Sequence, residues 1–365
     1  MNADAVIGWV LTIAAALRLS QAKTLADLVE AATHVGRATL SAIGRSLSAN
    51  TTAKSRIQRT WRFCDNDRVH VADAMTGVIN RLTKKRKKAL LVAFDWTQIR
   101  TFHTLMAAAI LGGRAIPLLW ASYTDGQLHR SQNSLEEGLL RLLVSMLPAG
   151  VRVILLADRG FGRTELARTC QELGVRFLIR IKPDVCVTHP NYTGRLDDYP
   201  IKKGMWRGLS AAEYRSDGAV VLNVVIRWKR GLPPDRDEPW FLMTDLPGNA
   251  VQLTDFYARR TAVEELFRDG KDGRYGLGLG QTQIQTPGRL DRLILIVALA
   301  LILLSGLGRV AREHFRPSAW CSSNNPCECS DVTVGRRMWD HIREPPQRLF
   351  NQILRATLDV VGNWG

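Results

Sequence analysis

Apolar segments between residues 89 and 181 predict a mixed sheet with helices. Short apolar runs of strand-like composition recur here, and Gly112-Gly113 marks a turn between two of them. Two other segments place apolar residues at helical spacing. The strand candidates are 89–94, 102–111, 115–123, 151–157 and 175–181, and the helix candidates are 131–147 and 161–173. The order β-β-β-α-β-α-β predicts an α/β fold with a mixed sheet.

The pattern changes on both sides of this region, which suggests further units. The N-terminal part has helical periodicity, and residues 183–249 are polar and turn-rich with short alternating strand candidates. An apolar stretch at 290–304 predicts a buried helix under the sheet. The predicted units are an N-terminal helical domain at 1–80, a catalytic core at 89–182 and 250–305, a β-rich insertion at 183–249, and a small helical C-terminal tail at 306–365.

Two N-terminal features are candidates for contact with DNA. Residues 24–48 resemble two short helices that begin at a capped Thr24 and break near His34-Val35-Gly36, as in a helix-turn-helix. Such helix pairs are also common in protein cores. Residues 54–62 then interleave four cations with Trp61, a pattern that suits phosphate contacts or an ordinary solvated face.

The charge balance indicates a polyanionic partner. The chain of 365 residues carries 50 Lys and Arg against 34 Asp and Glu, a formal charge of +16. Nucleic acid is the first expectation for so basic a protein, and a membrane surface is the alternative. The apolar stretch 7–19 lacks a basic segment before it, and 293–304 is too short to span a bilayer. No membrane segment is predicted.

The cysteines favour a reducing compartment. Six cysteines are spread along a long chain, which does not indicate a disulfide framework. Cys321, Cys327, Cys329 and His341 have the right chemistry for zinc, but their spacing matches no common zinc site. Free thiols are the simpler interpretation.

One stretch, residues 257–271, concentrates chemistry-bearing side chains. On a single helix, Tyr257, Arg260, Glu264 and Lys271 fall within about 60° of one another. Glu265 points away from this stripe. An aromatic ring, two cations and a carboxylate in line suit a surface that holds a phosphodiester backbone beside a metal ion. The alternative is a solvated amphipathic helix with Glu–Arg pairs.

Two further carboxylates follow apolar strand candidates. Asp95 comes after the run at 89–94 and Asp158 after the run at 151–157, where polar groups emerge at a sheet edge. With Glu264 they form a set of three oxygen donors, which suits Mg²⁺ or Mn²⁺. Two such ions would support in-line displacement at phosphorus. An Asp after a strand can instead be a simple turn or helix cap.

These residues together resemble a known family. The spacing Tyr257-x2-Arg260-x3-Glu264-x6-Lys271 is similar to the Y-R-E-K signature of DDE transposases of the insertion-sequence-four (IS-four) family. Asp95 in Phe94-Asp95-Trp96-Thr97 and Asp158 in Ala157-Asp158-Arg159-Gly160-Phe161 resemble its two preceding acidic positions. The likeness covers roughly residues 24–305.

The resemblance implies a ribonuclease-H-like core, an N-terminal domain that binds the ends of the element, and a bacterial cytoplasmic, nucleoid-associated enzyme. It implies cut-and-paste transposition in a homodimer, with Asp95, Asp158 and Glu264 as catalytic ligands of two Mg²⁺ (or Mn²⁺) ions. Tyr257, Arg260 and Lys271 would contact the DNA backbone, as would Arg159. In members that form a DNA hairpin, Trp240 would stack on a flipped base; Trp206 and Trp228 are alternatives, and so is a structural role for Trp240.

Two other functions remain open from the sequence. The same type of core serves structure-selective nucleases or resolvases, which cleave DNA without joining it. A catalytically idle DNA-binding regulator descended from a transposase is the third possibility.

Overall fold

A mixed sheet of ten strands organises the part of the chain that the computed structural model describes, residues 3–35, 37–84, 86–215, 220–234, 237–321 and 329–342. The strand order is β3-β2-β1-β4-β5-β10-β9-β8-β6-β7. The strands are β1 Leu90–Ile99, β2 Phe102–Leu111, β3 Arg114–Tyr123, β4 Val153–Ala157, β5 Arg176–Arg180, β6 Cys186–His189, β7 Tyr192–Arg195, β8 Trp206–Arg215, β9 Val220–Arg227 and β10 Trp240–Thr244. Parallel pairing joins β1 to β4 and β4 to β5, and the other pairs are antiparallel.

This arrangement confirms the predicted α/β fold of ribonuclease-H-like type. Helices cover the sheet, and apolar residues of its central strands are fully buried, among them Val92, Phe94, Leu155 and Phe177. Parallel strands with both faces covered read as continuous apolar runs, which is why β4 and β5 were visible in the sequence. The strands of the 183–249 segment extend the same sheet, because β10 pairs with β5.

The first strand is longer than predicted. Its apolar run ends at Phe94, but β1 continues to Ile99 because it forms an antiparallel hairpin with β2, in which Asp95 pairs with Met106. Arg100 closes the hairpin turn with φ of 56°. Asp95 therefore lies inside a strand, and the prediction that it follows one is wrong.

Five helices precede the sheet: α1 Ala3–Ile13, α2 Leu19–His34, α3 Leu40–Ser46, α4 Ala53–Asp65 and α5 Val71–Thr83. The break after His34 is as predicted, but the start at Thr24 is wrong. Gln21 accepts a hydrogen bond from the backbone N–H of Arg18 and so caps α2 earlier, while the Thr24 hydroxyl donates to the carbonyl of Ser20 within the helix. Most of α2 is buried, as in a core helix.

The remaining helices are α6 Asp125–Leu128, α7 Gln132–Met146, α8 Thr164–Glu172, α9 Ala250–Tyr257, α10 Thr261–Lys271, α11 Pro287–His314 and α12 Asp331–Ile342. The apolar helix predicted at 290–304 is α11, which extends into the region assigned to the tail. Residues 343–365 of that predicted tail lie outside the described residues.

The helix α11 forms the second half of the core. Among the described residues it is the one helix long and apolar enough to cross a bilayer, but 89% of its most apolar stretch is buried, as in the core helix of a globular fold. It packs closely against α12, since a Cβ at Gly308 would meet the Asp331 carbonyl and one at Gly335 would meet the Leu304 carbonyl, at 1.9 Å and 2.0 Å. Glycine is required at both positions.

Candidate active site

Asp95 and Asp158 emerge side by side because of the register between β1 and β4. The last parallel pair of this ladder is Phe94 with Ala157, so the next residue on each strand is an aspartate. Neighbouring strands lie about 4.8 Å apart. Asp158 directly follows β4 and caps a short 3₁₀ turn, where its Oδ1 accepts a hydrogen bond of 2.9 Å from the Gly160 N–H. Asp95 stays in the β1–β2 hairpin.

Arg260 links Glu264 to Asp95, because it donates hydrogen bonds to both carboxylates. One guanidinium nitrogen donates to Asp95 Oδ2 at 2.7 Å and another to Glu264 Oε1 at 2.6 Å. The Arg260 and Asp95 side chains are mostly buried, at 14% and 13% exposure, while Glu264 is 53% exposed. The three predicted carboxylates thus meet at one edge of β1 and β4, with Arg260 between two of them.

The stretch from Tyr257 to Lys271 is not one continuous helix. The helix α9 ends at Tyr257, residues Ala258–Arg260 form a 3₁₀ turn, and α10 begins at Thr261. In a 3₁₀ turn residues three apart lie directly above one another, so Tyr257 and Arg260 remain on one side of the chain. Glu265 points elsewhere and pairs with Arg114 at 2.9 Å.

Tyr257 and Trp240 pack against each other beside the site. Their rings meet edge to face with centroids 5.6 Å apart. Tyr257 is 4% exposed, and burial raises the pKa of its hydroxyl to about 12. Trp240 is half-buried between two cations, Arg180 at 5.5 Å and Lys229 at 5.3 Å from its ring. Cations over an aromatic face stabilise this stack.

The other two predicted contact residues flank the carboxylates. Lys271 Nζ donates to Thr97 Oγ1 at 2.9 Å, and burial lowers the pKa of Lys271 while the charge of Asp95 opposes that shift. Arg159 is exposed, 3.8 Å from Glu238, at the mouth of a cavity of about 300 Å³. Arg180, Tyr199 and Trp228 also line that cavity.

The electrostatics of the site centre on Asp95. Burial raises the pKa of Asp95 to about 6. The guanidinium of Arg260 lowers it, and the charges of Asp158 and Glu264 raise it further. A carboxyl that feels two neighbouring carboxylates is poised to bind a cation, because only a positive charge relieves their repulsion. Here Arg260 supplies that charge.

The donor set fits hard divalent cations in its chemistry. Three carboxylates offer only oxygen ligands, which Mg²⁺ and Mn²⁺ prefer. As they stand, however, no three His, Cys, Asp or Glu side chains among the described residues are grouped closely enough to hold a metal ion. Arg260 already occupies one oxygen of Asp95 and one of Glu264. Asp95, Asp158 and Glu264 would hold such ions once the guanidinium is displaced.

The zinc alternative finds no support among the described residues. Cys321 and Cys329 lie close together, and Cys329 is also near Arg337. Cys327 and the side chain of His341 lie outside the description. Cys64 and Cys170 are buried free thiols.

Sequence reasoning missed several residues that complete the site. Thr97, the partner of Lys271, follows Asp95 by two positions, so period-two alternation along β1 could have placed it on the same face. Arg180 and Lys229 both lie near the ring of Trp240 because β5, β9 and β10 are adjacent in the sheet. No local pattern in the sequence carries that information.

The comparisons with known proteins agree with this geometry. The family described as "Transposase DDE domain" matches residues 86–303, well over half of the chain. This span begins just before β1 and ends within α11, so it includes all three carboxylates. No curated protein matches the chain. With its ribonuclease-H-like sheet and its acidic edge, the chain belongs to the family of transposases with a DDE domain.

Proposed function

We propose that this transposase cuts DNA at the inverted-repeat ends of a bacterial insertion sequence and transfers the freed strands to target DNA. The single observation that carries the proposal is the convergence of Asp95, Asp158 and Glu264 at one sheet edge, with Arg260 between Asp95 and Glu264. The Y-R-E-K spacing supports a place within the IS-four group. A bacterial, cytoplasmic and nucleoid-associated homodimer follows from the same assignment.

The chain's own residues divide the work as follows. Asp95, Asp158 and Glu264 would hold two Mg²⁺ or Mn²⁺ ions, which would supply positive charge at the reacting phosphate and ease loss of the nucleophile's proton. Arg260 binds a phosphate in a bidentate way, through two parallel N–H···O bonds, and Lys271 supplies a single positive charge. Arg159 adds an exposed cation, and Tyr257 supports the DNA-facing wall from its buried position.

The environment of the tryptophans bears on a hairpin intermediate. A flipped base needs an aromatic face that is free to stack, worth about 1–3 kcal/mol. Trp240 already contacts Arg180, Lys229 and the ring of Tyr257, so we expect a stacked base to displace one of these partners. Trp228 lines the 300 Å³ cavity beside Arg159 and Arg180. We propose that Trp240 stacks on the base after Arg180 or Lys229 moves to the backbone.

A cleavage assay tests the proposal. The substrate is a plasmid that carries the coding region with the DNA on both sides of it. Wild-type protein should cut near the gene in a Mg²⁺-dependent way and join the ends to a second plasmid. Asp158→Ala and Glu264→Gln should bind the same DNA and fail to cut it. Glu265→Gln is the matched control, because its carboxylate pairs with Arg114 on another side of α10.

Three outcomes would contradict the proposal. Wild-type-like cutting by Asp158→Ala or Glu264→Gln would remove these residues from catalysis. Cutting by the wild type with no joined product would indicate a nuclease of the same fold, and binding without any cutting would indicate a regulator.

A further inference from the structure

A buried carboxylate lies on the face of β1 opposite to the proposed active site. Glu136, on α7, is 1% exposed. Its Oε1 accepts hydrogen bonds from Trp96 Nε1 at 2.7 Å and from Gln132 Nε2 at 3.1 Å, and its Oε2 pairs with Arg163. Arg163 is itself buried, and it also donates to the Asn133 carbonyl at 3.1 Å. We name Glu136, Trp96 and Arg163 the buried clamp.

The partners of Glu136 are the neighbours of the two aspartates. Trp96 directly follows Asp95, and successive side chains on a strand point to opposite faces, so Asp95 faces Arg260 while Trp96 faces α7. Arg163 lies five residues after Asp158, just beyond the 3₁₀ turn that Asp158 caps. One carboxylate therefore connects the segments that carry Asp95 and Asp158.

The register of β1 against β4 brings the two segments together, but their main-chain pairing stops short of the aspartates. The parallel ladder between β1 and β4 ends at Phe94 and Ala157, one residue before the aspartates. Beyond that pair β1 continues with β2, while the chain after β4 turns away into α8. The edge-to-face contact of Phe94 with Phe161, at 6.5 Å, ties the two segments in the core. Past it, the hydrogen bonds of Glu136 to Trp96 and Arg163 form a further link between the two segments.

A buried charge in this place needs an explanation. Burying a carboxylate and a guanidinium costs several kcal/mol per ion, and an apolar pair of similar volume is often equally stable. Stability alone is thus a weak reason for a Glu–Arg pair here. Fixed geometry is a stronger one, because Glu136 accepts from three directions and Arg163 donates along defined lines.

We infer that Glu136 is a positioning residue that sets the separation and orientation of Asp95 and Asp158 through Trp96 and Arg163. The inference rests on the proposed function of the two aspartates. Mutation of residues that hydrogen-bond to the metal ligands and orient them typically changes metal affinity or activity by 10–100-fold. The clamp acts one step further back, because it holds Trp96 and Arg163 in the segments that carry Asp95 and Asp158.

The test compares two variants with the wild-type full-length protein. Trp96→Phe removes the indole N–H together with part of the ring volume, and it keeps an aromatic ring to pack against Tyr123. Glu136→Gln combined with Arg163→Met removes the buried ion pair and leaves Glu137, which is 24% exposed and accepts from Thr169, without its arginine. Both should keep the DNA concentration for half-maximal cleavage, lower the cleavage rate about 10–100-fold, and weaken Mn²⁺ binding measured by electron paramagnetic resonance.

A matched control uses the exposed pair Arg141–Glu172. It also joins α7 to α8, at 2.8 Å, but does not contact β1. The double variant Arg141→Met with Glu172→Gln should cleave DNA and bind Mn²⁺ like the wild type.

The outcomes separate this inference from the proposed function. A wild type that neither cuts DNA nor binds Mn²⁺ would overturn both. An active wild type with unchanged rates and Mn²⁺ affinity in Trp96→Phe and the clamp double variant would overturn the clamp alone. Loss of folding in both variants, seen by circular dichroism, would assign the clamp to stability and equally overturn the positioning role.

Discussion

Arg163 and Arg260 each bridge two carboxylates, and they do so in different environments. Arg163, 9% exposed, lies between Glu136 and Glu137, whose exposures are 1% and 24%. Arg260, 14% exposed, lies between Asp95 and Glu264, and Glu264 is 53% exposed. The first cluster is largely shielded from solvent, whereas the second opens to solvent through Glu264.

The difference in solvent exposure separates an arginine suited to a structural role, Arg163, from one that is able to take part in the reaction, Arg260. A closed ion cluster keeps its partners, because any exchange would leave a charge buried without compensation. An open one can exchange partners at low cost, since water screens the exposed carboxylate. Arg260 can thus leave its carboxylates for a phosphate, while Arg163 stays in place. We expect four measurements to break or sharpen this contrast.

Loss of the closed arginine should have the largest effect. Arg163→Met leaves Glu136 without its ion pair in the core and should lower the free energy of unfolding by about 3–5 kcal/mol. Arg260→Met should cost about 1 kcal/mol or less, because Glu264 is half-exposed and Asp95, with a pKa near 6, gains a proton easily. Urea unfolding at pH 6 measures both. Equal decreases in the free energy of unfolding in the two variants would contradict the distinction between a closed and an open cluster.

Asp291, on α11, shows how burial affects the pKa of a carboxyl that belongs to neither arginine cluster. Its Oδ1 has no hydrogen-bond partner, and burial raises the pKa of Asp291 to about 7, against hydrogen bonds with Ser122. Because the folded state then binds the proton more tightly than the unfolded state, stability from this group falls as pH rises from about 4 to about 7.

Asp291→Asn should therefore flatten the pH dependence of stability. At pH 8 it should raise the free energy of unfolding by about 1–3 kcal/mol relative to its effect at pH 4. Asp95 and Asp269, whose pKa values burial raises to about 6, leave a smaller slope in the variant. Urea unfolding at the two pH values gives the answer, and an identical slope in variant and wild type would refute it.

Removal of the open arginine should strengthen cation binding when DNA is absent. Arg260→Gln takes away the charge that competes for Asp95 and Glu264, so Mn²⁺ should bind about tenfold more tightly to the DNA-free protein. Electron paramagnetic resonance of free Mn²⁺ reports this affinity. Weaker or unchanged binding would mean that Arg260 helps to shape the site and does not compete for it.

The smallest effect concerns the cation beside the open cluster. Lys271 bonds to Thr97 and bridges no carboxylates, so Lys271→Ala should weaken DNA binding slightly and reduce the salt slope by about 1. Lys271→Arg keeps the charge and should keep the slope. Binding isotherms at several salt concentrations decide, and an unchanged slope in Lys271→Ala would remove it from the phosphate contacts.

Local patterns in the sequence were enough to predict the mixed sheet and the candidate carboxylates that lie at one end of its strands. The buried strands β4 and β5 are apolar runs, and Asp158 follows one of them because a covered parallel strand can expose polar groups only where it ends. The spacing of residues between Tyr257 and Lys271 indicated that Glu264 lies on the same face as the DNA-contact candidates. The sequence alone therefore determined the fold class, the family resemblance and the choice of three carboxylates.

Tertiary structure decided what those residues touch. The register of β1 against β4 set Asp95 beside Asp158, and the β1–β2 hairpin kept Asp95 inside a strand. A 3₁₀ turn broke the predicted helix and turned Arg260 toward Asp95, 165 residues away in the chain. The clamp of Glu136 joins three separate elements. Such contacts depend on how distant segments pack together, and local periodicity carries no information about that packing.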